Sequence, residues 1–279
     1  MRVGYLGPEG TFSEEALRAA LPGSSEHELV GLPSVFDVVA AVQIGGVERA
    51  LVPIENSLEG AVNATLDALA GEADDVTIVG EVVHPIRVCL IARSPLALEA
   101  IELVVSHPQP SAQCARFLRA ELPRARVLSA ASTAEAVRTL AEGGEAQAAL
   151  GTHSAAELYG CEVLRADVED DPGNETRFVW LARQGDTPSP GPGPWKTSIV
   201  FWGPGAEAPG WLVRCLSELA FRGVNLTRIE SRPRRQGLGR YMFFVDLEGR
   251  DSEAPVAAAL AAIEAQVARL RVLGSYPAA

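Results

Sequence analysis

Lysine is almost missing from this 279-residue chain: of 24 basic residues only Lys196 is lysine, and the rest are arginine. Without lysine, residues 1–195 can neither form a Schiff base with a carbonyl substrate or pyridoxal phosphate nor build a Walker A loop. Cysteine and histidine are scarce as well. Cys89, Cys114, Cys161 and Cys215 contain no C-x-x-C pair, and His27, His84, His107 and His153 fall at no metal-ligand spacing, so a metal site is not expected. Positive charge is in deficit, with a net charge of −12 and a pI near 4.9, which argues against nucleic acid or an anionic membrane surface as a partner. No apolar run reaches the roughly 18 residues of a membrane span, and the opening MRVGYLGPEG has no leader character. A cytoplasmic protein with reduced thiols is expected.

What is present is a globular composition, 47% hydrophobic and 22% charged, enough for one large or two modest domains. The Pro/Gly-rich stretch from Gln184 to Pro194 divides the charge unevenly, with about −14 before it and about +2 after it. Before the stretch, apolar runs end repeatedly in a turn and a helix start. Arg2 to Leu6 leads into Gly7-Pro8-Glu9-Gly10 and Thr11, with Glu14 placed for a capping box. Ala50 to Pro53, Leu103 to Ser106 and Ala148 to Gly151 lead into helices starting near Ser57, Ser111 and Thr152. Such alternation predicts an open α/β sheet with ligands beyond the carboxyl ends of its strands.

Extended runs at Ile78 to Val83 and Ile86 to Ala92, and the acidic loop Asp167 to Gly173 followed by Thr176 to Ala182, are candidate crossings between two α/β lobes. Residues 1–184 are therefore read as a two-lobed domain with crossings near 78–93 and 167–176. After the linker, strands at Thr197 to Trp202, Leu226 to Ser231, Tyr241 to Leu247 and Val272 to Tyr276 alternate with helices at Gly210 to Phe221 and Pro255 to Arg269. This βαββαβ order over 195–279 is ferredoxin-like.

Polar side chains gather at the ends of these strands. Gly4, Gly7 and Gly10 follow G-x-x-G-x-x-G rather than a dinucleotide spacing, and suit a small anion held by Thr11, Ser13 and backbone N–H groups. Pro53-Ile54-Glu55-Asn56-Ser57 ends an apolar strand, and Ser106 to Cys114 brings Gln109 and Gln113 to another. In Asn174-Glu175-Thr176-Arg177-Phe178, period two puts Thr176 and Phe178 on one face and Arg177 on the other.

Taken in order, Gly4 to Ser13, Pro53 to Ser57, Ser106 to Cys114, Asn174 to Phe178 and Glu230-Ser231-Arg232-Pro233 resemble the prephenate dehydratases that carry a C-terminal ACT regulatory domain. The resemblance covers essentially the whole chain. It implies a catalytic domain like a periplasmic binding protein, and a cofactor-free lyase reaction in which prephenate loses its ring hydroxyl and carboxylate to give phenylpyruvate. It implies Thr176 as the catalytic residue and substrate contacts from Thr11, Ser13, Asn56, Ser57, Gln109, Gln113, Arg177 and Phe178. Glu55 is a candidate proton donor if burial raises its pKa.

The same resemblance implies phenylalanine as allosteric effector, bound by Gly210, Trp211, Leu212, Asn225, Leu226, Glu230, Ser231, Arg232 and Pro233, in a homodimer or homotetramer. The family's G-A-L stretch reads Gly210-Trp211-Leu212 here, so an indole stands where a methyl group is expected. Arogenate dehydratase and a non-catalytic two-lobed sensor are the competing readings.

Overall fold

The computed structural model describes residues 1–21, 23, 26–71, 73–186, 193–204 and 208–279. Residues 187–192, the centre of the expected linker, lie outside the described residues. In chain order come β1 (Arg2–Leu6), α1 (Phe12–Ala20), β2 (Glu28–Leu32), α2 (Val35–Gln43), β3 (Arg49–Asn56), β4 (Gly60–Ala61) and α3 (Asn63–Gly71). They are followed by β5 (Val76–Pro85), β6 (Cys89–Ala92), β7 (Leu103–Ser106), α4 (Pro108–Gln113), α5 (Ala115–Glu121), β8 (Arg126–Ser129) and α6 (Thr133–Glu142). Then come β9 (Gln147–Gly151), α7 (His153–Tyr159), β10 (Glu162–Arg165) and β11 (Glu175–Arg183). The C-terminal stretch holds β12 (Trp195–Trp202), α8 (Trp211–Ala220), β13 (Leu226–Pro233), β14 (Tyr241–Glu248), α9 (Ala254–Glu264) and β15 (Arg269–Pro277). Among the described residues no helix is long and apolar enough to cross a membrane.

Two compact units interleave along the sequence. The first comprises Met1–Ser34, Asn56–Gly60 and His84–Thr176, and the second Val35–Glu55, Ala61–Val83 and Arg177–Ala279. The chain thus passes between units at 34/35, 55/56, 60/61, 83/84 and 176/177, and residues 195–279 group with 35–55 and 61–83 rather than standing alone.

In the first unit, β1 pairs in parallel with β2, and a five-stranded sheet runs β10-β6-β9-β7-β8. Its central strands are apolar at consecutive positions because both faces are covered. Leu90, Val104, Ala148 and Leu150 pack on one side with Cys114 and Leu122. Ile91, Val105 and Ala149 pack on the other with Val137 and Leu140 of α6. Ser132 starts α6 by accepting from Glu135 N, while the Glu135 carboxylate returns to Ala131 N, so two of the unpaired N–H groups at this helix start are satisfied locally.

The expected capping box at α1 forms differently. Thr11 Oγ1 donates to Leu6 O at 3.2 Å instead of capping the helix. Glu14 accepts from Gly10 N rather than from Thr11 N. The turn is held from the other side by Thr152 Oγ1, which donates to Gly10 O at 2.7 Å.

In the second unit, β11 lies between β3 and β5, and a separate antiparallel sheet runs β13-β14-β12-β15. With α8 and α9 this gives the expected βαββαβ order and a ferredoxin-like strand arrangement. Ile199, Phe201, Val245 and Leu247 face Cys215, Leu219, Ala259 and Ile263 of the two helices. Arg271 ties the sheet to the rest of the unit by donating to the carbonyls of Leu69, Ala73 and Val76.

Trp211 belongs to this core. Its ring meets Phe201 and Phe243 at centroid distances of 6.0 Å, and its Nε1–H donates to Gln266 O at 2.8 Å. A methyl group on Gly203 would overlap the indole, so the glycine is what makes room for the tryptophan. Gly203→Ala is therefore expected to destabilise the protein by about 1–3 kcal/mol through overpacking, read from the midpoint of denaturant unfolding.

Candidate active site

Within the first unit, the end of β3, the start of β11 and the C-terminus of α4 supply four buried polar side chains. Asn56, Gln113, Asn174 and Thr176 are 6%, 9%, 0% and 7% exposed. Polar groups at such depth need partners, and here they find one another. Asn56 Nδ2 donates to Thr176 Oγ1 at 2.9 Å, to Asn174 Oδ1 at 2.8 Å and to Glu175 O at 3.1 Å. Asn174 Nδ2 donates to Gln113 Oε1 at 3.1 Å, and Gln113 Nε2 in turn approaches Glu59 Oε1 at 3.5 Å.

The orientation of the Asn56 amide is over-determined. Its Oδ1 accepts from Leu58 N and Glu59 N, both at 3.0 Å, the Asx arrangement that asparagine favours at a turn. With the oxygen committed to backbone N–H groups, the nitrogen must point at Thr176. Thr176 Oγ1 is then an acceptor toward Asn56, which leaves its own O–H free to donate elsewhere. Asn174, inside the family-like stretch but given no role from sequence, is the most buried member of the group. Its only signal was membership of the Asn174 to Phe178 run.

Ser57 braces the same turn through backbone groups. Its N–H donates to Glu175 O at 2.9 Å, and its Oγ accepts from Glu175 N at 3.0 Å. Of the two glutamines expected in the site, only Gln113 joins it. Gln109 is exposed, and its described bond is the backbone N–H to His107 Nδ1 at the start of α4. Thr11 and Ser13 are buried in this unit, but no described hydrogen bond joins them to Thr176. Burial pushes the Cys89 and Cys114 thiols up, to about 11 and about 12, so neither carries thiolate at neutral pH.

Arg177, Phe178 and Glu55 belong to the second unit, and their surroundings differ from what the sequence suggested. Phe178 is core, 1% exposed. Arg177 Nε donates to Glu55 Oε2 at 3.0 Å, Nη1 to Glu81 Oε2 at 3.0 Å and Nη2 to Asp246 Oδ2 at 2.7 Å. Burial works against its charge, but Asp246 and Glu81 outweigh it and hold the guanidinium charged. All three nitrogens face protein carboxylates, so the side chain is engaged within the second unit. Glu55 lies between Arg177 and Arg228, whose Nε is 3.4 Å from Glu55 Oε1, an ion-pair partner rather than a carboxyl set in an apolar pocket.

A cavity of about 550 Å³ lies elsewhere in the second unit, lined by Phe36, Val39, Asp67, Trp202, Arg234 and Arg269 among others. None of the Thr176 partners lines it.

A dense set of neutral amide and hydroxyl groups within an α/β fold suits an enzyme in which orientation and hydrogen bonding do the chemistry. The comparisons make it a lyase. The sequence matches the prephenate dehydratase family over residues 3–186. A prephenate dehydratase of Mycolicibacterium vanbaalenii is 41% identical over 287 residues, spanning 99% of this chain and 90% of its own. The solved prephenate dehydratase of Arthrobacter aurescens, in complex with L-Phe, matches with a TM-score of 0.90 at 37% identity over 99% of this chain and 90% of that one. A second solved structure, described as GqqA, a novel type of quorum-quenching acylase, matches with a TM-score of 0.87 at 33% identity over 100% and 98%. This chain belongs to the prephenate dehydratase family.

Since the Asn56 amide both orients and donates to Thr176, Asn56→Asp should be more damaging than loss of one bond. It replaces the donor with a carboxylate and turns the Thr176 O–H toward Asn56. Turnover of prephenate is expected to fall about 10²-fold or more, with an unchanged far-UV circular dichroism spectrum.

Proposed function

We propose that the chain removes the ring hydroxyl and the ring carboxylate of prephenate at Thr176. The carbon–carbon bond to the carboxylate breaks, its electron pair enters the ring as the hydroxyl departs, and carbon dioxide and phenylpyruvate result, the leaving hydroxide taking one proton from solvent to become water. Aromatisation supplies the driving force, so the protein has to orient the diacid and stabilise the leaving oxygen. The observation that supports this most directly is the Asn56 to Thr176 bond, which commits the threonine oxygen as acceptor and frees its O–H to donate to the departing hydroxyl. Hydrogen-bond donation suits a threonine better than proton release, because an aliphatic hydroxyl is far too weak an acid at neutral pH.

Asn56, Ser57, Gln113, Thr11 and Ser13 are assigned to substrate on this reading. Asn174 joins them as the residue that orients Asn56 and Gln113 toward each other. Neutral donors fit a site from which a carboxylate leaves as carbon dioxide, since a tight cation would stabilise the charge that has to disappear. Arg177 and Phe178 are assigned no substrate contact, and Glu55 no proton transfer, because their side chains are engaged or buried within the second unit.

Thr176→Ala is expected to lower kcat about 10²–10³-fold with little change in KM, and Thr176→Ser to keep part of the rate. The assay is the absorbance of the phenylpyruvate enolate in alkali. Near-normal turnover by purified Thr176→Ala would remove the role. Equal or greater turnover of arogenate would reassign the substrate.

Residues 195–279 are read as an ACT domain behind a catalytic region of 1–184, with phenylalanine as inhibitor. Support comes from the βαββαβ topology and from the L-Phe complex of the Arthrobacter aurescens relative. Gly210, Leu212, Asn225, Leu226, Glu230, Ser231 and Pro233 remain the proposed effector contacts. Trp211 is removed from that set because its indole is core. Arg232 is engaged by Asp67 of α3, at 3.1 and 2.9 Å. A free edge at β13, with Ile229 41% exposed, supports pairing of two such sheets in a homodimer or homotetramer. Calorimetric titration is expected to give heat with phenylalanine and less with tryptophan. No heat from either would mean the pocket is blocked.

A further inference from the structure

Thr176 and Arg177 are consecutive residues of β11, as Glu55 and Asn56 are of β3. Side chains alternate along a strand, so each strand carries one hydroxyl or amide of the proposed site and, at the adjacent position, one member of a charged cluster. In that cluster Arg177, Glu81 and Asp246 have side chains only 10%, 2% and 4% exposed. The guanidinium is held from three strands, β3, β5 and β14, with one carboxylate on each nitrogen. The carboxylates are themselves fixed. Ser198 Oγ donates to Asp246 Oδ1 at 2.7 Å, Ser198 and Tyr276 hydroxyls lie 2.7 Å apart, and Lys196 Nζ donates to Glu81 Oε1 at 2.6 Å.

Three cations, counting Arg228, therefore face three carboxylates in a largely buried layer. Burying such a layer is a poor way to gain stability, because desolvation offsets most of the attraction and an apolar replacement is often neutral or better. What it does provide is a fixed geometry for Arg177, and with it for the backbone on which Thr176 stands. Arg228 of β13 reaches for two of the same carboxylates but holds them less closely, at 3.4 Å from Glu55 and 4.0 Å from Asp246. Its Nη2 is buried without a hydrogen-bond partner. Arg177 is thus the arginine that the carboxylates grip.

We propose that Arg177 is a positioning residue for Thr176, set in place from the C-terminal sheet by Asp246 and Ser198. The proposal rests on the assignment of Thr176 as the catalytic residue. A misplacement of about 1 Å at a reacting group costs on the order of a hundredfold in rate, so a modest loosening of Arg177 is enough to be seen.

Asp246→Asn in the full chain should lower kcat for prephenate about tenfold or more while KM stays within about twofold, and Asp246→Glu should recover part of the loss. Ser198→Ala, a milder change, should move kcat the same way by about threefold and keeps the test open if Asp246→Asn does not fold. The decisive readout is non-additivity. In a Thr176→Ala background the Asp246 or Ser198 substitution should cost no further turnover, because the group it positions is gone. A merely structural role would lower the residual rate in both backgrounds alike, and that result overturns the proposal, as does wild-type kcat in both single variants. If Thr176→Ala itself retains turnover, the site assignment fails, a separate outcome from full loss in Thr176→Ala with no effect at residues 246 and 198.

Discussion

The chemistry proposed for this protein depends on which way one amide points. Asn56 gives its oxygen to two backbone N–H groups of the following turn and its nitrogen to Thr176 and Asn174. An amide turned over would set a carbonyl against the threonine oxygen and claim the O–H for itself. The turn therefore does more than connect β3 to β4. It converts a generic hydroxyl into one whose free hydrogen has a direction, and preorganisation of this kind is worth far more in a buried site than the same bond in water.

None of the described hydrogen bonds of Asn56, Gln113, Asn174 and Thr176 involves a cation, and the nearest arginine in sequence has its charge met by carboxylates. Prephenate carries two carboxylates, and an arginine beside the one that leaves would hold the ground state back. Arg177 follows Thr176 directly, yet its donors end on Glu55, Glu81 and Asp246. Strand alternation makes this possible. Of two adjacent positions on β11, Thr176 carries a neutral hydroxyl and Arg177 belongs to a charged, buried cluster.

Much of this could be read from residues alone, and where it could not, the reason is physical. The β-turn-α alternation and the βαββαβ order were legible because apolar runs, glycines and caps punctuate them clearly. The short strands Glu28–Leu32 and Arg126–Ser129 were not read as strands; the latter is exposed throughout and has no period to show. The passages of the chain between units at 34/35, 55/56 and 60/61 have no sequence signal, since a chain crossing leaves no compositional mark. Asn174 carries no role in the sequence reading because burial of an asparagine depends on partners 61 and 118 residues away. Trp211 reads as an intruder in a pocket from the sequence alone, because the space that Gly203 leaves for it, eight residues earlier in the chain, has no sequence signal.

Similarity of fold leaves two activities in view, since one relative at 33% identity is described as an acylase and folds do not dictate function. The hydrogen bonds described around Thr176 favour the dehydration. Acyl transfer through a hydroxyl needs a base positioned to take its proton, with a third group orienting that base. The group beside Thr176 Oγ1 is an amide N–H, which gives a hydrogen bond and cannot accept a proton. None of the described hydrogen bonds brings His84, His107 or His153 to it, and the buried thiols of the same unit stay protonated. A threonine arranged to donate and not to be deprotonated is poorly suited to nucleophilic attack, but it is well suited to easing a hydroxyl group away from a ring about to become aromatic.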